Sequence, residues 1–242
     1  MAEREYSATA QNGKFRSMKA MLLAAGLGSR LKPLTDRLPK PLLRAGAATL
    51  IEHHLNRLNA AGFDEVVINL HYLGHLIEEE IGDGLDRGMR ISYSREPKLL
   101  DTGGGVKAAL DFLEEKPFVV ISSDVYIEMD YRTLPLELPQ NSLGCLVMVP
   151  NPAHHDEGDF CLREGILING DNKMTYSGIA VLSPQLLRSI ESEVFALRRV
   201  FELAISAGQL HGVAFHGYWC DVGTFQRYEG LKKHLSSPYP DE

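Results

Sequence analysis

Cysteine, tryptophan, long apolar runs and excess positive charge are all scarce in this chain. Its 242 residues include three cysteines, Cys145, Cys161 and Cys220, and one tryptophan. The cysteines are widely spaced and form no C-x-x-C pair, which excludes a disulfide-stapled scaffold. Such sparse cysteine use suits a reducing, cytoplasmic setting. Apolar runs such as those at residues 20–25 and 118–121 fall far short of the ~20 residues that a bilayer-spanning helix needs. No membrane partner is therefore expected. Lysine and arginine number 25 against 32 acidic residues, a net charge of −7, and a general nucleic-acid binder would instead be basic. Residues 1–17 are polar and lack an apolar core segment, so they read as a disordered lead-in, not a secretory signal.

What is present is the composition of a globular protein, 44% hydrophobic and 24% charged, which excludes disordered and coiled-coil classes. Strand and helix signals alternate through the first half. Strands are predicted at 19–23, 65–69, 90–94 and 118–122, and helices at 49–61, 73–81 and 102–113. In the first helix, Leu50, Leu55, Leu58 and Ala61 share one face and Gly62 ends it. This alternation predicts βαβ units and a mainly parallel sheet in an α/β fold. Ligands of such folds sit beyond the carboxyl ends of the strands. The second half is less regular. Strands are expected at 142–149 and 174–182, a loop or hairpin excursion at 150–172, and helices at 184–189, 194–207 and 224–235, the last capped by Thr224. A hairpin around Gly217 is expected to join 211–215 to 218–222. No linker or repeat divides the chain, so residues 18–242 read as one domain with halves 18–125 and 126–242.

The densest chemistry follows the first strand. Ala24-Ala25-Gly26-Leu27-Gly28-Ser29-Arg30 leads to Pro33-Leu34-Thr35 and then to Pro39-Lys40-Pro41-Leu42. Small residues let the backbone approach a bulky ligand, and successive loop amides form an anion-binding concavity. Five cations (Arg30, Lys32, Arg37, Lys40, Arg44) stand against one anion, Asp36, within residues 26–44. That local excess asks for an anionic partner. Arg30 can fork phosphate oxygens and Lys40 can act as a mobile point charge. A Rossmann dinucleotide loop is disfavoured, because Leu31 stands at the third glycine position and Pro33 and Pro39 prevent a regular helix. The Walker A pattern is absent. An ordinary turn with a solvated basic rim is the plain alternative. Further on, Gly103-Gly104-Gly105 is expected where a flat ligand presses on the backbone. The run His154-His155-Asp156-Glu157-Gly158-Asp159 crowds metal-ligating types together, but adjacent residues of an extended loop point apart and no zinc spacing is present.

Residues 26–42 fit the pattern G-x-G-x-R-x-x-P-L-T-x-x-x-P-K-P-L at every fixed position. The chain resembles the sugar-phosphate nucleotidylyltransferases over nearly all of its length after Met18. The resemblance implies a Rossmann-like, glycosyltransferase-A-like α/β fold with a mixed, mainly parallel sheet flanked by helices. It implies the reaction NTP + sugar 1-phosphate → NDP-sugar + pyrophosphate, with Mg²⁺ as cofactor. Arg30 and Lys40 become catalytic. Ala24, Ala25, Gly26, Gly28, Ser29, Asn69, Glu96, Thr102, Gly103 and Ser122 join them in binding the nucleotide. Asp124, past an apolar strand, and Asp221, in Trp219-Cys220-Asp221-Val222-Gly223-Thr224, become the metal ligands. Ser122-Ser123-Asp124 departs from the family's usual Asn-Gly-Asp, so Ser122 would replace an asparagine contact by a hydroxyl. Asp159, Ser177 and Gly178 are assigned to the sugar. The family's sugar-phosphate lysine, in an E-K-P segment, is missing before Tyr176, and Arg163 or Lys173 is the candidate substitute.

The segments 101–105, 151–160 and 219–224 most resemble the branch that acts on UTP and N-acetylmuramate 1-phosphate in peptidoglycan recycling. Mannose-1-phosphate guanylyl and glucose-1-phosphate uridylyl or thymidylyl transfer are the alternatives. A nucleotide-sugar-binding regulatory subunit is the non-enzyme reading, disfavoured because Arg30, Lys40, Asp124 and Asp221 are all present. The expected partners are a nucleoside triphosphate and a sugar 1-phosphate, bound by a monomer or small homo-oligomer.

Overall fold

Apolar residues ending in small ones make Ala20–Leu23 the buried strand β1. Around it the computed structural model describes residues 18–236; the lead-in expected at 1–17 lies outside the described residues. A short ribbon, β2 (Arg44–Ala45) with β3 (Ala48–Thr49), leads into α1 (Leu50–Ala60). Thr49 caps that helix by accepting from the Glu52 amide, and the Glu52 carboxylate accepts from the Thr49 amide in return. Then follow β4 (Glu65–Leu70), α2 (Gly74–Ile81), β5 (Arg90–Arg95), α3 (Asp101–Ala108), α4 (Leu110–Leu113), β6 (Phe118–Ser122) and β7 (Val125–Ile127). The second half holds β8 (Gly144–Val149), β9 (Phe160–Arg163), β10 (Ile166–Ile168), β11 (Lys173–Leu182), α5 (Gln185–Arg188), α6 (Leu197–Ser206), β12 (Leu210–Ala214), β13 (Trp219–Asp221) and α7 (Phe225–Ser236).

Nine strands form one sheet in the order β5-β4-β1-β6-β11-β8-β12-β10-β9. β5, β4, β1 and β6 are mutually parallel, as the strand–helix alternation predicts. β11 then runs antiparallel to β6 and β8. Alternate residues of the central strands face opposite layers. Leu22 and Ile68 pack with Ile51, Leu55 and Ile77 of α1 and α2, while Met21 and Val67 pack with Val106, Leu186 and Phe201 of α3, α5 and α6.

Two details position the site. β11 shifts register between Tyr176 and Ala180, where Gly178 takes φ +88° and a Cβ would lie 3.0 Å from that of Ser122. Glycine alone relieves both constraints. The bend lets Lys173 and Met174 pair with β9 while Ile179–Leu182 pair with β6. The second detail corrects the expected hairpin around Gly217. β12 pairs with β8 and β10, and β13 leaves the sheet to form a separate antiparallel ribbon with β7. Trp219 Nε1 donates to the Ser177 carbonyl at 2.9 Å, and Tyr218 stacks on His234 of α7 at 3.5 Å. These contacts hold β13 away from β12. The helix expected at 102–113 is divided at Ala109 into α3 and α4, and the 150–172 excursion contains the β9–β10 hairpin.

Candidate functional site

A cavity of about 580 Å³ opens beyond the carboxyl ends of β1, β4 and β6. The glycine loop forms one wall. From Ser29 to Leu42 the chain makes three single-turn 3₁₀ helices, Ser29–Leu31, Leu34–Asp36 and Lys40–Leu42, the proline-punctuated alternative to a long helix. Gly28 adopts φ +63°, and a Cβ there would lie 2.9 Å from Thr35 Cγ2. Buried Thr35 donates its hydroxyl to the Gly28 carbonyl at 2.8 Å, closing the loop on itself. A Cβ at Gly26 would meet nothing within 4 Å, so that position leaves the wall open to a ligand. Ala24, Ala25, Ser29 and Arg30 line the same cavity.

Folding the loop back brings Lys40 under it. Its side chain is only 10% exposed, and Nζ lies 2.7 Å from Asp124 Oδ2. Asp124 is set by the end of β6, where the Ser123 amide and hydroxyl both donate to the Leu23 carbonyl of β1. Asp221 sits opposite Val125 on the β13–β7 ribbon, and the Val222 amide donates to the Asp124 carbonyl at 2.8 Å. The backbones that carry the two acids thus meet from distant points of the chain; Asp124 lines the cavity, and Asp221 lies outside its lining, next to Gly223, which lines it. Arg227 Nη2 lies 2.9 Å from Asp221 Oδ2. His154 Nε2 is 2.9 Å from Oδ1, yet that buried oxygen makes no hydrogen bond. Two carboxylates carried on adjoining backbone, that of Asp124 42% exposed, are a hard, oxygen-only donor set. It fits a divalent ion that takes few protein ligands and completes its shell with phosphate oxygens. Among the described residues no group of three or more His, Cys, Asp or Glu is arranged for a metal.

Beneath the ribbon, His54 is fully buried. Its Nε2 bonds the Val125 carbonyl at 2.8 Å and its Nδ1 the Tyr131 hydroxyl at 2.6 Å. A carbonyl only accepts, so Nε2 carries the proton and Nδ1 accepts from tyrosine. Burial pushes the imidazole pKa down to about 3, so this support is neutral.

On the opposite wall, Asn69 and Glu96 are buried and tied together. Asn69 accepts from the Ala24 amide at 2.8 Å and donates to Glu96 at 2.6 Å, and Glu96 accepts from the Leu100 amide at 3.0 Å. They hold the glycine loop to the start of α3. Thr102 lines the cavity, but its hydroxyl accepts from the Leu197 amide at 2.9 Å. The three glycines face protein, which corrects the expectation of a ligand pressed on them. A Cβ at Gly103 would collide with Phe195, one at Gly104 with the Glu193 carbonyl, and one at Gly105 would lie 2.6 Å from Glu96. Gly103 is accordingly covered by Phe195 and is not on the cavity wall.

The sugar-side assignments divide. Gly178 stands beside Ser122, which lines the cavity. Ser177 is wholly buried, and its hydroxyl accepts from the Ile179 amide at 3.2 Å, so it shapes the β11 bend. Asp159 is consumed by the fold. One oxygen accepts from the Tyr176 amide at 2.8 Å and the other pairs with Arg198 and His155. Arg163 is displaced outright. It pairs with Ile166, which pairs with His211, level with Cys145 and Val181. That is several residues from the Ser122 end of the sheet. Lys173 is exposed on β11 and outside the cavity lining.

Several residues of the site carry no sequence signal of their own. Leu99 and Val194 line its apolar mouth. In the sequence His154 belongs to a histidine-rich run, and Arg227 reads as an ordinary helix cation. Only spatial proximity to Asp221 distinguishes them. The loop that presents His154 is tied down by Asn151, which donates to the Asp156 and Lys173 carbonyls and accepts from Thr175.

Residues 19–159 match the family model described as "Nucleotidyl transferase". The chain is 41% identical over 219 residues to N-acetylmuramate alpha-1-phosphate uridylyltransferase of Neisseria meningitidis, covering 87% of this chain and 95% of the relative. It is 29% identical over 223 residues to mannose-1-phosphate guanyltransferase of Neurospora crassa, spanning 85% of this chain and 61% of that protein. The fold is also that of HddC from Yersinia pseudotuberculosis complexed with GMP-PN, with a TM-score of 0.75 and 21% identity over 90% of this chain and all of the other.

Proposed function

The chain belongs to the nucleotidyl transferase family, and we propose that it makes UDP-N-acetylmuramate and pyrophosphate from UTP and N-acetylmuramate α-1-phosphate. The observation that carries this reading is the cavity whose wall joins the glycine loop, Lys40 and Asp124. The close likeness to the Neisseria uridylyltransferase, over almost the whole of both chains, directs it to that nucleotide and sugar.

In this reading the N-terminal half, 18–125, takes the nucleotide and the C-terminal half, 126–242, takes the sugar phosphate. Loop amides from Ala25 to Ser29 and the Arg30 guanidinium hold the triphosphate. The Asn69–Glu96 pair keeps that loop registered against α3, where the apolar mouth at Leu99 and Val194 receives the base. A phosphate oxygen of the sugar 1-phosphate attacks the α-phosphorus, and pyrophosphate leaves from the opposite side. No covalent enzyme intermediate is needed, because positioning and charge stabilisation carry such a transfer. Lys40 lies where negative charge grows around the α-phosphate. The family uses a divalent metal. Asp124 and Asp221 would hold Mg²⁺ here, and when bound it would supply positive charge against that of the phosphates.

The test is pyrophosphate release with UTP, GTP, dTTP and ATP, each against N-acetylmuramate, N-acetylglucosamine, mannose and glucose 1-phosphates. UTP with N-acetylmuramate 1-phosphate should give the highest kcat/KM. A preference for GTP with mannose 1-phosphate would replace the muramate assignment by guanylyl transfer. No pyrophosphate from any pair would remove the enzymatic reading.

A further inference from the structure

Arg227 is the one strongly charged side chain at Asp221 that the mechanism above leaves without a part. It rises from the first turn of α7, where Thr224 Oγ1 accepts from its amide at 3.4 Å. Its side chain is only 18% exposed, and its guanidinium reaches Asp221 Oδ2 at 2.9 Å. The space it occupies exists because residue 223 is glycine, since a Cβ there would collide with Arg227 Nη2. Gly223 itself lines the cavity, so the guanidinium lies just behind the wall.

Asp124 shows the same arrangement, with Lys40 Nζ 2.7 Å from its Oδ2. Each carboxylate of the candidate cation site therefore already holds one cation of the protein. The two negative charges are matched by two positive ones, and His154 Nε2 stands against the remaining oxygen of Asp221. A free divalent ion is drawn by uncompensated negative charge, which this pair does not offer. A triphosphate lying along the glycine loop would bring that charge with it.

We propose that Arg227 is a positioning residue that neutralises Asp221, so that the carboxylate pair takes up its divalent ion together with the nucleoside triphosphate and not as the free ion. The inference rests on reading this cavity as a nucleotidyl-transfer site. It assigns Gly223 the task of making room for the guanidinium.

The probe is Mn²⁺ alone, followed on the full chain by the electron paramagnetic resonance signal of the unbound ion, with and without UTP. The wild type should leave the signal of free Mn²⁺ unchanged at concentrations where added UTP causes uptake beyond that of UTP alone. Arg227→Met removes the compensating charge and keeps most of the alkyl stem. It should raise affinity for Mn²⁺ alone by about tenfold or more. Arg227→Lys retains the charge and should behave as wild type. Gly223→Ala, which displaces the guanidinium, should follow Arg227→Met. Melting temperatures of the same variants separate a merely structural role, which would lower stability without strengthening Mn²⁺ binding. Unchanged or weaker Mn²⁺ binding by Arg227→Met would overturn the proposal, and so would tight nucleotide-free binding by the wild type. Pyrophosphate release by the wild type is scored separately. If it occurs while free Mn²⁺ binds tightly, this inference alone fails, and if it never occurs, the underlying reading fails.

Discussion

At the scale of single residues, Lys40 is the sharpest case. Its ammonium is nearly buried, yet its partner Asp124 is 42% exposed. Removing the charge therefore leaves a carboxylate that water can solvate, and the fold should survive. Lys40→Met keeps the packed stem and removes only the ammonium. It should lower kcat by roughly 10²–10³-fold, the usual cost of losing one transition-state stabiliser, with a much smaller change in KM for the nucleotide. A change confined to KM would make Lys40 a ground-state anchor and refute the role proposed for it. The loop residues stand out in the sequence because glycine, proline and cations occur together at fixed spacing, and Asp124 stands out because it follows an apolar strand. Asp159, Ser177 and Arg163 were not legible as structural residues, because the deciding facts are partners distant in sequence. Asp159 is held by Arg198 and Tyr176, and the position of Arg163 depends on a hairpin register that composition does not encode.

At the scale of elements, the parallel half of the sheet follows from strand–helix alternation, whereas the second half depends on one strand. β11 pairs with β6, β8 and β9 by bending at Gly178, and local patterning does not reveal three partners for one strand. α3 shows the same limit. Its glycines mark close approach, as the sequence suggested, but the surface approached is the 193–195 segment of this chain. Gly103 and Gly104 donate their amides to the Phe195 carbonyl at 2.9 and 3.0 Å. The same segment carries Val194 on the cavity wall. Gly104→Ala places a methyl group against the Glu193 carbonyl, a backbone atom that cannot rotate aside. The variant should lose about 1–3 kcal/mol of stability, the range for overpacked sites. It should also raise KM for the nucleotide, because the segment must shift for the helix to remain. Denaturant unfolding and steady-state kinetics check the two halves of the prediction. A destabilised variant with unchanged nucleotide KM would show that the 193–195 segment takes no part in binding.

At the scale of the whole molecule, the active edge is supported by a buried neutral base, and this couples global stability to pH. His54 joins the α1 layer to the β7–β13 ribbon through the Val125 carbonyl, one residue beyond Asp124. Its pKa falls from an ordinary 6.5 to about 3 because burial disfavours the imidazolium. The sign follows from proton uptake. Below pH 6.5 the unfolded chain binds a proton at this residue and the folded chain does not, so acid favours unfolding. The contribution is fully present above pH 6.5. It diminishes by up to about 1.4 kcal/mol per pH unit as pH falls toward 3, and is lost once the folded form also protonates. His53 is shifted downward by burial as well, and Glu52 and Asp130 are lowered by hydrogen bonds and arginine partners, so several groups add acid sensitivity in the same sense. The variant His54→Gln isolates one of them. It should be less stable at pH 7.5, having lost the fitted ring and its two hydrogen bonds, but its stability should decline less steeply between pH 6.5 and 4.5. The measurement is the denaturant midpoint of both proteins across that range. Parallel curves would mean that His54 titrates equally in the folded and unfolded chains, and that the ribbon beneath Asp124 does not depend on a neutral imidazole.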